Sequence, residues 1–361
     1  MRPYVVSVVV IAAVVAGGAG VSALPSQRDA VRAAVGVLPA ETLNAGVTDW
    51  VRARELLAAE HLSSDSPERA IRAFLREAYD ADVSANSLLA DAAPAMVEHF
   101  GWSVLDADWE ALAQSRRGAA AVVQFPEEFD LQRVRDGLAR LGYVEPAVPS
   151  GVWAGGADLV TRIESSLTPM LGYVAVLDDT HQIVLSDRQQ YAGRAARTVT
   201  GEIGSLDDVA GMSDVAASLV GSTSAIIRPG GLGCAEMGFG DASPDARALA
   251  ERRIAQVGGL HPYQSVGLGL VAEEDRPQRA QDLVVAMHFD GVPLAEARRR
   301  AMLATGDAPA QGGVFESRFR VGSVRQQTGD VVLTLRPRGA ETQLMSDYAN
   351  GQLLFASCGR D

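Results

Sequence analysis

The sequence predicts an α+β protein: a helical N-terminal region followed by two ferredoxin-like modules of βαββαβ order. Three observations predict it. Residues 24 to about 115 place their apolar side chains at helical spacing. From residue 116, short apolar runs alternate with amphipathic segments. Finally, "QIVLSDRQQYAGRAARTVTG" (182–201) has a looser echo in "DLVVAMHFDGVPLAEARRRAMLATG" (282–306). The expected boundaries are 1–23 for a signal peptide or membrane anchor, 24–115 for the helical region, 116–229 for the first module and 230–361 for the second.

In the helical region, Thr48 caps "DWVRARELL". Ser66-Pro67-Glu68 opens "ERAIRAFLREAY", with Ile71, Phe74 and Ala78 on one face, and Pro94 breaks "SLLADAAPAMVEHF". The first module opens with the apolar strand "GAAAVVQF" (118–125). Asp130 then caps "LQRVRDGLARLGY", whose Leu131, Val134, Leu138 and Leu141 form one stripe that Gly142 stops. Strands follow in "GVWAGG" and "GYVAVLDDTHQIVLSD", the latter turning at Asp178-Asp179-Thr180. A helical stretch over 188–219 and the strand "TSAIIRP" close the unit.

The second module reads in the same order. "GCAEMGF" is its opening strand, and Ser243-Pro244 starts "DARALAERRIAQVG" with Leu249, Ile254 and Val257 inward. "SVGLGLVAE" and "DLVVAMHFD" pair, "PLAEARRRAMLATG" is the second helix, and "FESRFRVGSV" and "VVLTLRP" are later strands. A short helix near Glu341 to Tyr348 and a last strand, "QLLFASC", end the chain. As a duplication, this makes Val184 equivalent to Val284 or Val285, and the helices ending at Gly201 and Gly306 equivalent.

Composition excludes several chemistries. Of 361 residues, 47% are apolar but only 6% aromatic, so the cores must be built from Ala, Val and Leu. All 32 basic residues are arginine. A chain without lysine has no Schiff-base lysine, no P-loop lysine and no Ser-x-x-Lys nucleophile. A net charge of −13 argues against a nucleic-acid partner, because duplex binding needs a basic stripe. Arg298-Arg299-Arg300 reads as the solvated face of a helix.

The N-terminus, "MRPYVVSVVVIAAVVAGGAGVSALPSQ", joins Arg2 to an apolar core and a small-residue stretch. Cleavage is expected between Ala23 and Leu24. The alternative is an uncleaved anchor over residues 5–24, which at ~1.5 Å per residue just spans a bilayer and would be the only membrane contact. Cys234 and Cys358 are the only cysteines, and in an exported chain an even count reads as a disulfide. Two free thiols or half a metal site are the competing readings.

No catalytic, cofactor-binding or metal-ligating set assembles from motifs. "RPGGLGC" (228–234) lacks the third glycine of a dinucleotide loop and reads as a turn carrying Cys234 to its partner. His288 and Asp290 in "MHFD" share a strand face, half of a hydrolase couple without a Gly-x-Ser-x-Gly nucleophile. Asp106, Asp108 and Glu110 in "DADWE" could gather for a hard cation, but a helix entered at Asp108 explains them better.

The signal-like start, the Lys-free composition and "LPAETLNAGVTDWVRARELL" (38–57) together make the chain resemble uncharacterised exported proteins of high-GC actinobacteria. The resemblance implies a secreted or membrane-attached envelope protein. The expected function is non-catalytic binding or scaffolding of an envelope protein or small ligand, without cofactor. The alternatives are an exported hydrolase with dispersed residues and a carrier for an apolar ligand.

Overall fold

Four helices begin where the sequence supplies a side-chain acceptor for their unpaired N–H groups. Asp29 accepts from Val31 and Arg32, Asp49 from Arg52, Asp130 from Gln132 and Ser243 from Ala246. The computed structural model describes residues 29–239, 242–272, 280–291, 295–304, 309–310, 313–314, 319–327, 329–338, 345 and 353–358. The signal or anchor segment with its Ala23–Leu24 junction lies outside these residues, as does Gly306. So, apart from Met345, does the helix expected over 341–348.

In chain order the elements are α1 (Ala30–Val37), β1 (Asn44–Asp49), α2 (Trp50–Leu56), α3 (Glu68–Asp80), α4 (Ala93–Phe100), β2 (Trp109–Ser115), β3 (Gly118–Gln124) and α5 (Leu131–Leu141). Next come β4 (Val152–Ala154), α6 (Gly156–Ile163), β5 (Tyr173–Leu177), β6 (Gln182–Ser186), α7 (Gln189–Val199), α8 (Met212–Ser218) and β7 (Ser222–Pro229). The chain continues through α9 (Gly230–Glu236), α10 (Pro244–Gln256), β8 (Ser265–Ala272), β9 (Gln281–His288) and α11 (Glu296–Leu303). Last come β10 (Pro309–Ala310), β11 (Gly313–Val314), β12 (Phe319–Gln327) and β13 (Asp330–Pro337). Among the described residues no helix is long and apolar enough to cross a membrane.

The two ferredoxin-like modules are not what forms. Among the described residues one sheet of eleven strands runs β12-β13-β9-β8-β7-β1-β2-β3-β6-β5-β4, and every neighbouring pair is antiparallel. A βαββαβ module needs its last strand to return beside its first. Here β7 instead pairs with β1 and β8, while β3 pairs with β2 and β6. The N-terminal region is not purely helical either, since it contributes β1 and β2 to the middle of the sheet.

Outward from the central β7–β1 pair the strand order nevertheless reads alike on both sides, with β4 as an extra strand beyond β5. β1-β2-β3-β6-β5 on one side matches β7-β8-β9-β13-β12 on the other, with helices inserted at the same two places in each half. Backbone bonds past the strand ends place the relating axis. Trp50 N–H donates to the Asp108 carbonyl as Gly230 N–H does to Gln264, so Gly46, four residues before Trp50, answers to Ile226, its own ladder partner. The pseudo-dyad therefore stands normal to the sheet at that point. Val184 on β6 corresponds to a position on β13, so its expected equivalence with Val284 or Val285 on β9 does not hold.

Alternation splits the side chains between two faces. On the front, α2 to α6 cover one half of the sheet through Trp50, Phe74, Phe100, Leu138 and Ile183. The C-terminal segment and the helices that follow β7 cover the other through Met237, Ala250, Leu303 and Phe355. On the back, α1, α7 and α8 share one core with Val47, Ala111, Val122, Ala225 and Ala286. The two front cores meet at a polar seam on the axis. Asn86 Nδ2 donates to Ser224 Oγ (3.0 Å) and the Ala225 carbonyl (3.1 Å), and Gln281 Nε2 donates to the Ala81 carbonyl (3.0 Å). The Asp82 carboxylate accepts the Met345 N–H. Gly46 leaves room for Asn86 here, since a Cβ would press to 3.3 Å from both its Cβ and its carbonyl oxygen.

Three local expectations also change. "GCAEMGF" belongs to α9 and the turn after it, not to a strand. Gly230 opens that helix against the Tyr263 carbonyl, where a Cβ would lie 1.8 Å from the oxygen. Within "QLLFASC", Leu354–Ala356 form a short 3-10 turn. Of the arginine triplet, Arg300 is fully buried, whereas Leu249, expected inward, is exposed and Ala250 packs in its place.

Candidate functional site

Lateral pairing lines up two rows of residues at equivalent ends of the half-sheets. In the first half the row is Asp49–Trp109–Gln124–Gln182, and in the second it is Pro229–Ser265–His288–Asp330. In the first row Gln124 Nε2 donates to the carbonyls of Phe125 (2.9 Å), Thr180 (3.2 Å) and His181 (3.2 Å), which ties down the β5–β6 turn. In the second, His288 Nδ1 lies 2.7 Å from Asp330 Oδ1 and 3.5 Å from Asp214 Oδ2. Asp214 reaches the row from α8, which crosses the back of β8 and β9.

The His288 ring has a fitted niche. Gly211 (φ +74°) and Gly329 (φ +81°) flank it, and a Cβ at Gly211 would come within 2.5 Å of the ring and 2.4 Å of Ser265 Oγ. Ser265 is fully buried and its hydroxyl has no hydrogen-bond partner among the described residues. The sequence pointed to His288 but paired it with Asp290. The chain leaves β9 after His288, and the carboxylates that meet the ring come from α8 and β13. No local motif could have found them.

Asp106, Asp108 and Glu110 do not converge on a cation, and no helix starts at Asp108. Asp106 ends a 3-10 turn and accepts N–H groups of Ser64 (2.9 Å) and Ser103 (3.1 Å). Glu110 sits on β2, fully buried, accepting from Ser87 Oγ (2.6 Å), Leu88 N–H (2.7 Å), Leu89 N–H (3.2 Å) and Trp50 Nε1 (3.4 Å). Burial pushes its carboxyl up. Burial likewise pushes Asp49 and Asp108 up to about 6, against the pull of Arg52 on the first and Arg54 on the second.

A cleft of about 960 Å³ opens at the start of α7, lined by Arg117, Arg188, Arg194, Arg197, Tyr173 and Asp187 among others. Arg194 is paired to Glu41, which holds that carboxyl below its ordinary range, and Arg197 to Glu202 at 3.1 Å. Arg188 stands 3.9 Å from Asp187, and Arg117 has no ion-pair partner among the described residues.

Cys234 and Cys358 form a disulfide, with Cα atoms 5.3 Å apart. It ties α9 to the C-terminal segment rather than joining two strands. Arg300 reinforces the same tie. It bonds Glu296 at 2.9 Å and donates to the carbonyls of Phe355 (2.5 Å), Ser357 (3.2 Å) and His261 (2.7 Å). Its guanidinium lies over the Tyr263 and Phe289 rings.

No family model matches the chain, and no curated protein matches it. Among solved structures it is similar to one titled "Structure of crystal form I of TP0453". The TM-score is 0.39 at 8% identity, covering 87% of this chain and 98% of that one.

Proposed function

We propose that the protein is an exported, non-catalytic binding protein of the cell envelope that receives anionic groups of its ligand in the cleft at the start of α7. The arginines of that cleft carry the reading: four guanidinium groups around one concavity, in a chain of net charge −13. Arg presents forked donors suited to carboxylate and phosphate. Arg117 and Arg188, the two least engaged, are the ones a ligand would meet. The disulfide supports export, since such bonds persist in oxidising compartments. The hydrolase alternative lacks support at His288, where the adjacent hydroxyl, Ser265, is fully buried and makes no hydrogen bond to the ring.

Heparin–agarose at low salt tests the binding surface. A protein of this net charge is repelled by a polyanion unless a local basic site holds it. Retention is expected, with loss in Arg117→Ser/Arg188→Ser, and flow-through of the unaltered protein would refute the reading. Export is read by N-terminal sequencing. A start at Leu24, or full-length chain in the membrane fraction, supports it, and full-length chain in the cytoplasm defeats it.

A further inference from the structure

We propose that Asp214, His288 and Asp330 bind one divalent first-row transition cation, of which Zn²⁺ is the type. Their ligand atoms, one per residue, all lie within 4.8 Å of one another. One imidazole and two carboxylates form a mixed N/O set, and the nitrogen favours Zn²⁺-like ions over Mg²⁺ or Ca²⁺, which take oxygen. Three ligands from α8, β9 and β13 leave further positions to water on the open side, where the Asp214 side chain is 54% exposed.

Two observations separate this trio from an ordinary surface ion pair. The first is the pseudo-dyad. The places of His288 and Asp330 are filled in the other half by Gln124 and Gln182, in the same register. The fold therefore needs no ionisable pair there. The second is Ser265 Oγ, a fully buried hydroxyl beside the ring with no partner among the described residues. It lies toward the Cδ2 edge of the imidazole, behind the Nδ1 that faces the carboxylates, where a supporting polar group can help hold the ring's orientation. Gly211 keeps the niche open, since any Cβ there would strike both Ser265 and His288.

The competing explanation is a His288 hydrogen-bonded to Asp330, with Asp214 nearby and no ion required. Chelator-stripped full-length protein titrated with Zn²⁺ near pH 7 separates the two. One equivalent should bind, with a Tm rise of about 3–6 °C at a hundredfold excess over Kd. Asp214→Asn, at an exposed helix position, and Asp330→Asn should each weaken binding at least tenfold while retaining the fold by circular dichroism. His61→Gln, an exposed histidine elsewhere, should change nothing. Absence of saturable binding overturns the proposal. So does Zn²⁺ binding that both Asp variants leave intact.

Discussion

The row Asp49–Trp109–Gln124–Gln182 and the row Pro229–Ser265–His288–Asp330 occupy matching places about one axis, yet no position carries the same residue. The backbone bonds beyond the strands match as well. Trp50 N–H donates to the Asp108 carbonyl, and Asp108 N–H to Gln124. In the other half Gly230 donates to Gln264, and Gln264 to His288. One position inward, buried Glu110 on β2 corresponds to buried Val266 on β8. Main-chain pairing and the apolar stripe set this architecture, and the polar residues at its corners are free to differ. What differs is where chemistry can reside.

Exchanging Glu110 and Val266 breaks the comparison most severely. Val266→Glu buries a carboxylate where no donors are arranged and should cost about 4–5 kcal/mol. Glu110→Val strands the Leu88 N–H and the Trp50 Nε1–H and should cost about 2–3 kcal/mol. Urea denaturation of each variant measures both, and equal costs would show that the halves tolerate charge alike.

Arg300 has no buried counterpart in the first half's fully buried set. Arg300→Ala should cost about 3–5 kcal/mol, because buried Glu296 loses the cation bonded to it at 2.9 Å and three carbonyls lose a donor. Arg300→Met with Glu296→Leu should recover most of that loss, and an unrecovered double variant would mean that the guanidinium does more than hold its neighbours.

Reducing Cys234–Cys358 should cost about 3–4 kcal/mol given the 124-residue separation. Hydrogen exchange should rise around α9, α10 and the C-terminal segment while β2 and β3 stay protected. A uniform rise would show that the two halves unfold as one.

The smallest effect is on pH. Asp49 and Asp108 are raised in the folded state from 3.8 to about 6, so between those values the folded state binds more protons than the unfolded. Their contribution is therefore complete below pH 3.8 and is lost as pH rises through 6. Asp49→Asn keeps the cap acceptor and should flatten part of that fall, by roughly 1–2 kcal/mol, in melts between pH 4 and 7. A variant as steep as the parent would reject Asp49 as a source.

The first half shows what a sequence discloses. α3, α5 and the β5–β6 hairpin carry caps, a clean period or a turn signal, and they form within one or two residues of expectation. β2 was hidden because Trp109-Glu-Ala-Leu-Ala-Gln-Ser is rich in helix formers. Its extended state is imposed by β1 on one side and β3 on the other. β1 has six residues, too few to show a period, and Gly46 interrupts it. The glycines of "GGLGC" suggested a turn and "GCAEMGF" a strand, yet α9 forms there because the sheet needs a cover over β7 and β8. The disulfide was legible by count alone. The His288 cluster was not, because its members lie far apart in sequence and only the sheet brings them together.

A two-fold axis inside one chain is the symmetry of a homodimer whose protomers have been joined end to end. Cut between α7 and α8, each half would present β1 or β7 as an open edge, and its natural complement is a second copy. Fusion makes that pairing intramolecular, so the sheet closes at any protein concentration. It also lifts a constraint. In a homodimer any substitution at Gln124 recurs at the mate, whereas the fused chain can hold glutamines at one corner and histidine with aspartate at the other.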